Sequence, residues 1–431
     1  DASLPAATYV AVFADWSTKP PFGGGVTHMH SGVKGRVRPL LLGATLALAW
    51  ELNGVSFILL TGITPPLLAR VGQEEGSSSA PQERQTTPRQ AAESYAQGLE
   101  WLRRGSCRRA LPLLQQASSH DPDLTEAFYP LSACLAQLGK AEEAFDGLLR
   151  LLKKRPGDVR AYSALAVLYY HSGDQDTALR TADRILQMAP ETALAYGVQG
   201  TVYMVREEFD KALPRFQRLA ELARREEDQR YAQFGLGNVY LRTKHFEEAW
   251  QAYKKALRLR SPARAGGFLE LPLVHEPLLT ALLKLGLGQS LFHLGRWKEA
   301  VSSLEEAIQM NGALANDESL VNLGISLAKT GRWKRALKTF RKAAHSNPGS
   351  AKAHHWQGVA ESWLGKLPQA LDSFGRAVAL KPDSTESLYF LGVTQAKLGR
   401  KDQALKQYGA LKELDATLAK QLLKLIQGKS P

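Results

Sequence analysis

Residues 281–314 read ALLKLGLGQSLFHLGRWKEAVSSLEEAIQMNGAL, and residues 317–350 read DESLVNLGISLAKTGRWKRALKTFRKAAHSNPGS. Laid over each other, both carry glycine at the eighth place (Gly288, Gly324) and at the fifteenth (Gly295, Gly331), and alanine at the twentieth (Ala300, Ala336). The stretch Gly295–Ala300, GRWKEA, differs from Gly331–Ala336, GRWKRA, at a single residue. Two segments this similar at one spacing make internal repetition the first question to ask of the chain.

Working outward, a 34-residue frame from Ala91, with later starts at 230, 281, 317, 351 and 385, gives nine copies. The twentieth place is alanine in all nine, from Ala110 and Ala144 to Ala370 and Ala404. The eighth is always small, as in Gly98, Ser132, Ala166 and Gly200. The twenty-fourth is large in all but one, for example Leu114, Phe216, Tyr253, Phe340 and Phe374, with Ala182 the exception. Proline closes five copies: Pro122, Pro156, Pro190, Pro348 and Pro382.

Apolar spacings of three, four and seven put one face of each segment on a helix, so a copy is two amphipathic helices. Glycine at the fifteenth place ends the first helix, and proline stops the second because it has no amide hydrogen to donate. Small residues at places eight and twenty let the paired helices approach, and the large one at twenty-four fills the space beside them. One copy cannot bury its apolar face alone, so the copies must stack. Residues 264–280 fall outside the period and read as an insertion between five repeats (91–263) and four (281–418). Residues 419–431 read as a capping helix and tail, with Leu418, Leu422 and Leu425 turned onto the last repeat.

This pattern resembles the tetratricopeptide repeat family over residues 91–418. The resemblance implies an all-α, right-handed α-solenoid of about nine helix-turn-helix units, and a role in protein–protein interaction. Departures are local: Glu361 and Gln395 stand where a large apolar residue is usual, and Glu207 and Lys244 replace the turn glycine. The resemblance also implies a concave groove lined by first helices. Carried onto this chain, the groove places include Tyr95, Tyr129, Tyr170, Met204, Tyr231, Phe234, Phe292, Trp363 and Tyr389, with Arg103, Arg160, Arg242, Lys329 and Lys397 among them. Tyrosine, tryptophan and arginine together are the composition of contact hot spots; the alternative is that several only pack against the next repeat. The carboxylate clamp of the chaperone-binding branch is not supported, since its places hold Tyr95 and Leu99, Tyr129 and Ala133, and Ser163 and Val167, with Asn238 alone fitting.

Ahead of the array the chain has another character. It begins at Asp1; the first methionine, Met29, opens a basic stretch with Lys34, Arg36 and Arg38, followed by an apolar run from Leu40. That order fits an export signal with Ala47-Leu48-Ala49 as cleavage candidate, or an uncleaved anchor through residues 39–70 interrupted by Glu51 and Asn53. Residues 1–71 are thus expected to be a hydrophobic leader that sends the protein to the periplasm, the cell exterior or a membrane in a bacterial manner, with the cytoplasm the alternative. Residues 72–90, rich in Gln, Ser, Pro and Glu, read as a flexible linker.

Composition narrows the function classes. The 431 residues include 55 basic and 42 acidic ones, a formal +13, and 44% are hydrophobic. A wholly disordered chain and a disulfide scaffold are both excluded, the latter because Cys107 and Cys134 are the only cysteines. No phosphate loop, His-Glu-x-x-His, Cys-x-x-Cys or nucleophile elbow occurs, so no catalytic residue, metal ligand or cofactor is implied. The adjacent His354 and His355 point about 100° apart on a helix and do not jointly chelate. The basic excess sits largely on second helices, as in Lys153, Lys154, Lys254 and Lys255, and reads as a solvated face ahead of a nucleic-acid track. The expectation is a non-catalytic scaffold binding protein or peptide segments. A basic binder of nucleic acid or anionic polymer, and an accessory module of an enzyme complex, are the alternatives.

Overall fold

The computed structural model describes residues 88–104, 106–259 and 276–428. The expected leader (1–71), nearly all of the expected linker, most of the insertion and the last three residues lie outside the described residues. Two compact units divide the described chain, 88–314 and 315–428.

The first unit holds α1 (Pro88–Arg103), α2 (Cys107–His120), α3 (Phe128–Gln137), α4 (Ala141–Lys154), α5 (Val159–His171) and α6 (Gln175–Met188). It continues with α7 (Ala193–Val205), α8 (Phe209–Leu222), α9 (Glu226–Arg242), α10 (Phe246–Arg258), α11 (Glu276–His293) and α12 (Trp297–Met310). The second holds α13 (Asp317–Lys329), α14 (Trp333–Ser346), α15 (Ala351–Trp363), α16 (Leu367–Leu380), α17 (Thr385–Lys397), α18 (Lys401–Leu414) and α19 (Ala416–Ile426). Among the described residues there is no strand, and each unit is a stack of helix-turn-helix pairs.

Three boundaries differ from the reading of the sequence. Helix α1 starts at Pro88 inside the expected linker, because proline is well placed in a first helical turn where its missing amide hydrogen is not needed. Helix α11 starts at Glu276, so the last residues of the expected insertion are helical. The units divide after Leu314 and not at 264–280. The reason is packing: Leu279 and Leu283 of α11 close a core with Ala249, Tyr253 and Ala256 of α10, so the stack runs on past the insertion.

The repeated places do the work their chemistry suggests. A Cβ built on Gly324 would come within 2.4 Å of the Phe340 ring, the large residue of the twenty-fourth place in the same copy. Phe340 is wholly buried, and so are Ala336 and Ala343 beside it. At the fifteenth place Gly139, Gly173, Gly295, Gly331, Gly365 and Gly399 all have positive φ. Glu207 and Lys244, which replace glycine there, are forced into the same region at φ 58° and 65°. The turn geometry is therefore imposed by the stack even where the side chain resists it. First helices start on side-chain caps in several copies: Asp158 accepts from the Ala161 amide at 2.9 Å and Asn316 from that of Ser319 at 2.8 Å.

Candidate partner-binding surface

Consecutive first helices touch one another directly within each unit, α5 with α7 and α7 with α9 in the first, α13 with α15 and α15 with α17 in the second. Within each unit the groove places on these helices therefore fall along touching first helices. The best-formed part lies on α5, α7 and α9. There Tyr170, Met204 and Phe234, each half-buried, pack with Tyr231 into one apolar cluster. The Tyr231 and Phe234 rings stand 6.3 Å apart. Burial raises the phenol pKa of both Tyr170 and Tyr231, so each stays a neutral donor.

The other expected groove residues divide into exposed, half-buried and interior ones. Tyr129, Tyr231 and Tyr389 keep only 7%, 2% and 6% of their surface exposed. Tyr231 Oη and Thr201 Oγ1 share a hydrogen bond at 2.8 Å, and Tyr129 donates to Asp158 at 2.8 Å, tying it to the cap of the next first helix. Tyr129 and Tyr231 thus bond to residues of a neighbouring repeat, and Tyr389 packs with Ala404, Leu411 and Leu422. A tyrosine ring is long enough to start on the open face of one helix and end in the seam with its neighbour. Tyr95 is half-buried and Arg160 exposed, and the two are close enough for the guanidinium to lower the Tyr95 pKa against a larger rise from burial.

Arg242 ion-pairs with Glu207 and lies over the Phe209 ring at 5.8 Å. Phe292 packs edge-on to Trp297 at 5.5 Å. Trp363 stacks on Trp333 at 4.6 Å, which joins the end of α15 to the turn entering α14. His355 Nδ1 meets Ser387 Oγ at 3.0 Å, and His354 Nε2 lies 3.1 Å from the Pro348 carbonyl. Among the described residues no cluster of His, Cys, Asp or Glu is arranged to hold a metal ion, and no helix is long and apolar enough to cross a membrane.

Cys107 and Cys134 are both buried and both thiols. Cys134 donates to Cys107 Sγ at 2.8 Å, and Cys107 donates to Gln137 Oε1 at 2.7 Å. The bond from Cys134 lowers the Cys107 pKa, while the same bond and burial raise that of Cys134.

Two features escape a reading by periodicity. Glu361 is 1% exposed, yet its carboxylate accepts from Arg341 at 3.0 Å, Gln357 at 3.1 Å and Ser373 at 2.7 Å. The other is α14, which has no acidic residue along its length. That second signal stands in the sequence, but it is visible only once the basic residues are sorted helix by helix.

Comparison with family profiles agrees with this architecture. Profiles described as tetratricopeptide repeat match residues 191–261 in one case and 95–158, 146–193, 285–351, 321–361 and 364–418 in another. Hsp70-Hsp90 organizing protein 3 of Arabidopsis thaliana is 28% identical over 104 residues, 24% of this chain and 19% of that protein. Protein bimA of Emericella nidulans is 30% identical over 105 residues, 24% of this chain and 12% of that protein. The chain thus spans less than a fifth of the length of these curated relatives. Among solved structures, YrrB, described as a TPR protein with an unusual peptide-binding site, is 25% identical with a TM-score of 0.39, covering 48% of this chain and 96% of its own. MamA from Desulfovibrio magneticus RS-1 is 18% identical with a TM-score of 0.37, covering 44% of this chain and 97% of its own.

Proposed function

The chain belongs to the tetratricopeptide repeat family, and on that premise we propose that it is a non-catalytic scaffold holding segments of partner proteins along its first helices. The observation that carries this reading is the convergence of Tyr170, Met204 and Phe234, from three successive first helices, on one cluster that leaves each of them partly open. A partner's apolar side chain laid there would be buried against rings that are already positioned, which limits the ordering cost of binding. Exposed Arg160 and Arg242 along the same run would set register by charge. The interior tyrosines Tyr129, Tyr231 and Tyr389 then act as the rigid backing of the surface.

Part of the same proposal is that the protein works outside the cytoplasm or at a membrane, on the basic-then-apolar order of residues 29–70. The intact N-terminus of the cellular protein, read by mass spectrometry, tests that part separately.

The surface itself is tested with a photo-crosslinking amino acid placed at Phe234 or Met204, and at the exposed Lys255 on a second helix as control. Partners captured at the first two positions and not at the third are expected. Equal capture at all three, or none at Phe234 and Met204, removes the groove reading.

A further inference from the structure

Helix α14 carries Lys334, Arg335, Lys338, Arg341, Lys342 and His345 within fourteen residues. Lys334, Lys338, Arg341, Lys342 and His345 line an open hollow of about 800 Å³, joined by Lys366 from the turn before α16. The rest of its wall is mostly apolar, with Leu320, Leu337 and Leu364, and no carboxylate lines it. A second hollow of about 550 Å³ shares Arg341 and His345 and adds Arg376 and the exposed Leu380. The two form one basic, leucine-floored surface within the 315–428 unit.

Packing does not require this charge. In the preceding copy the places of Arg335, Arg341 and Lys342 are held by Glu299, Glu305 and Glu306, and that of Lys338 by Ser302. Lys334, Lys338 and Lys342 stand at successive i, i+4 positions, where like charges destabilise a helix. Among the described residues none of these three, nor Lys366, has a carboxylate within ion-pair distance.

Arg341 differs, because it has a carboxylate partner. Glu361 holds its guanidinium from beneath, with that carboxylate out of solvent and also bonded to Ser373 and Gln357. At the same place the other copies carry Trp101, Leu135, Tyr169, Tyr203, Tyr240, Leu291 or Leu327, with Gln395 in the last. A buried acid thus stands where a plain core residue would serve the fold, and it fixes one donor at the wall common to both hollows.

We propose that this surface docks an acidic segment of a partner protein that also bears apolar side chains. Its carboxylates pair with Lys334, Lys338, Lys342 and Lys366, and its apolar side chains rest on the leucine floor. Phosphates of a nucleic acid would match the lysine row, but no Phe, Tyr or Trp ring lines either hollow to stack a base. The site is separate from the Tyr170–Met204–Phe234 cluster and does not depend on the function proposed for it.

The test titrates the full chain, by fluorescence anisotropy, with three labelled probes. They are a pool of short peptides alternating Glu with randomised apolar residues, an all-Glu peptide of equal charge, and an oligothymidylate. The mixed pool is expected to bind tightest. Lys338→Glu with Lys342→Glu should weaken it by about tenfold or more, and Lys153→Glu with Lys154→Glu should leave it unchanged. Lys338→Gln with Lys342→Gln gives the milder version, and circular dichroism checks that each variant keeps its helix. The proposal is overturned by no saturable binding of the pool, by equal binding of the all-Glu peptide, by tighter binding of the oligothymidylate, or by indifference to the Lys338 and Lys342 changes.

Discussion

Helices α12 and α14 occupy the same place in successive copies and are entered through nearly identical turns, yet they differ in almost every charge. Both bury an alanine at places twenty and twenty-seven, Ala300 and Ala307 in one, Ala336 and Ala343 in the other. Between those alanines α12 has Glu305 and Glu306 where α14 has Arg341 and Lys342. In α12 the charges are balanced nearby: Arg296 donates two hydrogen bonds to the Glu299 carboxylate at 2.8 and 2.7 Å, and Lys284 pairs with Glu306. In α14 a row of lysines is left facing a hollow. The repeated places set the architecture, and the charge each helix exposes is written at the places that do not repeat.

The fifth place gives the largest expected departure from that division. It is buried in three successive copies, as Leu285, Val321 and His355. His355 sits among Trp356, Phe374 and Phe390, with ring centroids 5.6–5.7 Å away, and burial pushes its pKa down to about 4. Its folded-state pKa is thus below the unfolded value of about 6.5. Above pH 6.5 both states are neutral and nothing is lost. As the pH falls toward 4 the unfolded chain takes up a proton that the folded chain refuses, which removes about 3 kcal/mol of stability. Urea unfolding at pH 7, 5.5 and 4.5 should show this loss in the native chain and a flatter profile in His355→Leu. Equal profiles would mean that the ring is protonated where it stands.

Next comes the eighth place, where the two copies should behave alike. A Cβ on Gly324 meets the Phe340 ring at 2.4 Å, and one on Gly288 meets Leu304 at 2.7 Å. Neither neighbour is at a surface where it could move aside. Overpacking outweighs alanine's helix preference, so Gly288→Ala and Gly324→Ala should each cost about 1–2 kcal/mol in thermal or urea unfolding. A neutral result at one position alone would show that the copies are not mechanically equivalent.

These two cases show what could be read from the sequence. The helix pairs, the close approach at Gly324 and the turn glycines were all legible, because a packing rule repeated nine times needs only one dimension to be seen. The open aromatic surface was legible only in part. Tyr170 and Tyr231 share the same spacing logic, yet Tyr231 goes to the interior through its bond to Thr201, a residue of the preceding copy. Glu361 was visible as a departure from the pattern but not as the support of Arg341, since that pairing joins α14 to α15 across twenty residues. Contacts between copies depend on side-chain length and direction, which periodicity does not encode.

A smaller effect is expected at the turns. Gly295 and Gly331 adopt positive φ freely, whereas Lys244 holds φ 65° with a side chain attached. Relieving that conformation should make Lys244→Gly more stable by about 1 kcal/mol, read as a rise in thermal midpoint. Glu207→Gly should gain less, because it also loses the ion pair with Arg242.

The smallest effect tests the comparison most directly. Glu299→Arg turns GRWKEA into its twin GRWKRA and replaces the exposed Arg296–Glu299 pair with two like charges. An exposed pair of this kind is worth about 0.2–1 kcal/mol and is screened by salt, so the stability change should be a few tenths and should shrink further in 0.5 M salt. The fold tolerates arginine at this place in α14, where Ala336 and Phe340 remain buried beside it. If Glu299→Arg instead unfolds the copy, the charges on α12 are part of the architecture, and the separation between places that build the stack and places that face a partner does not hold.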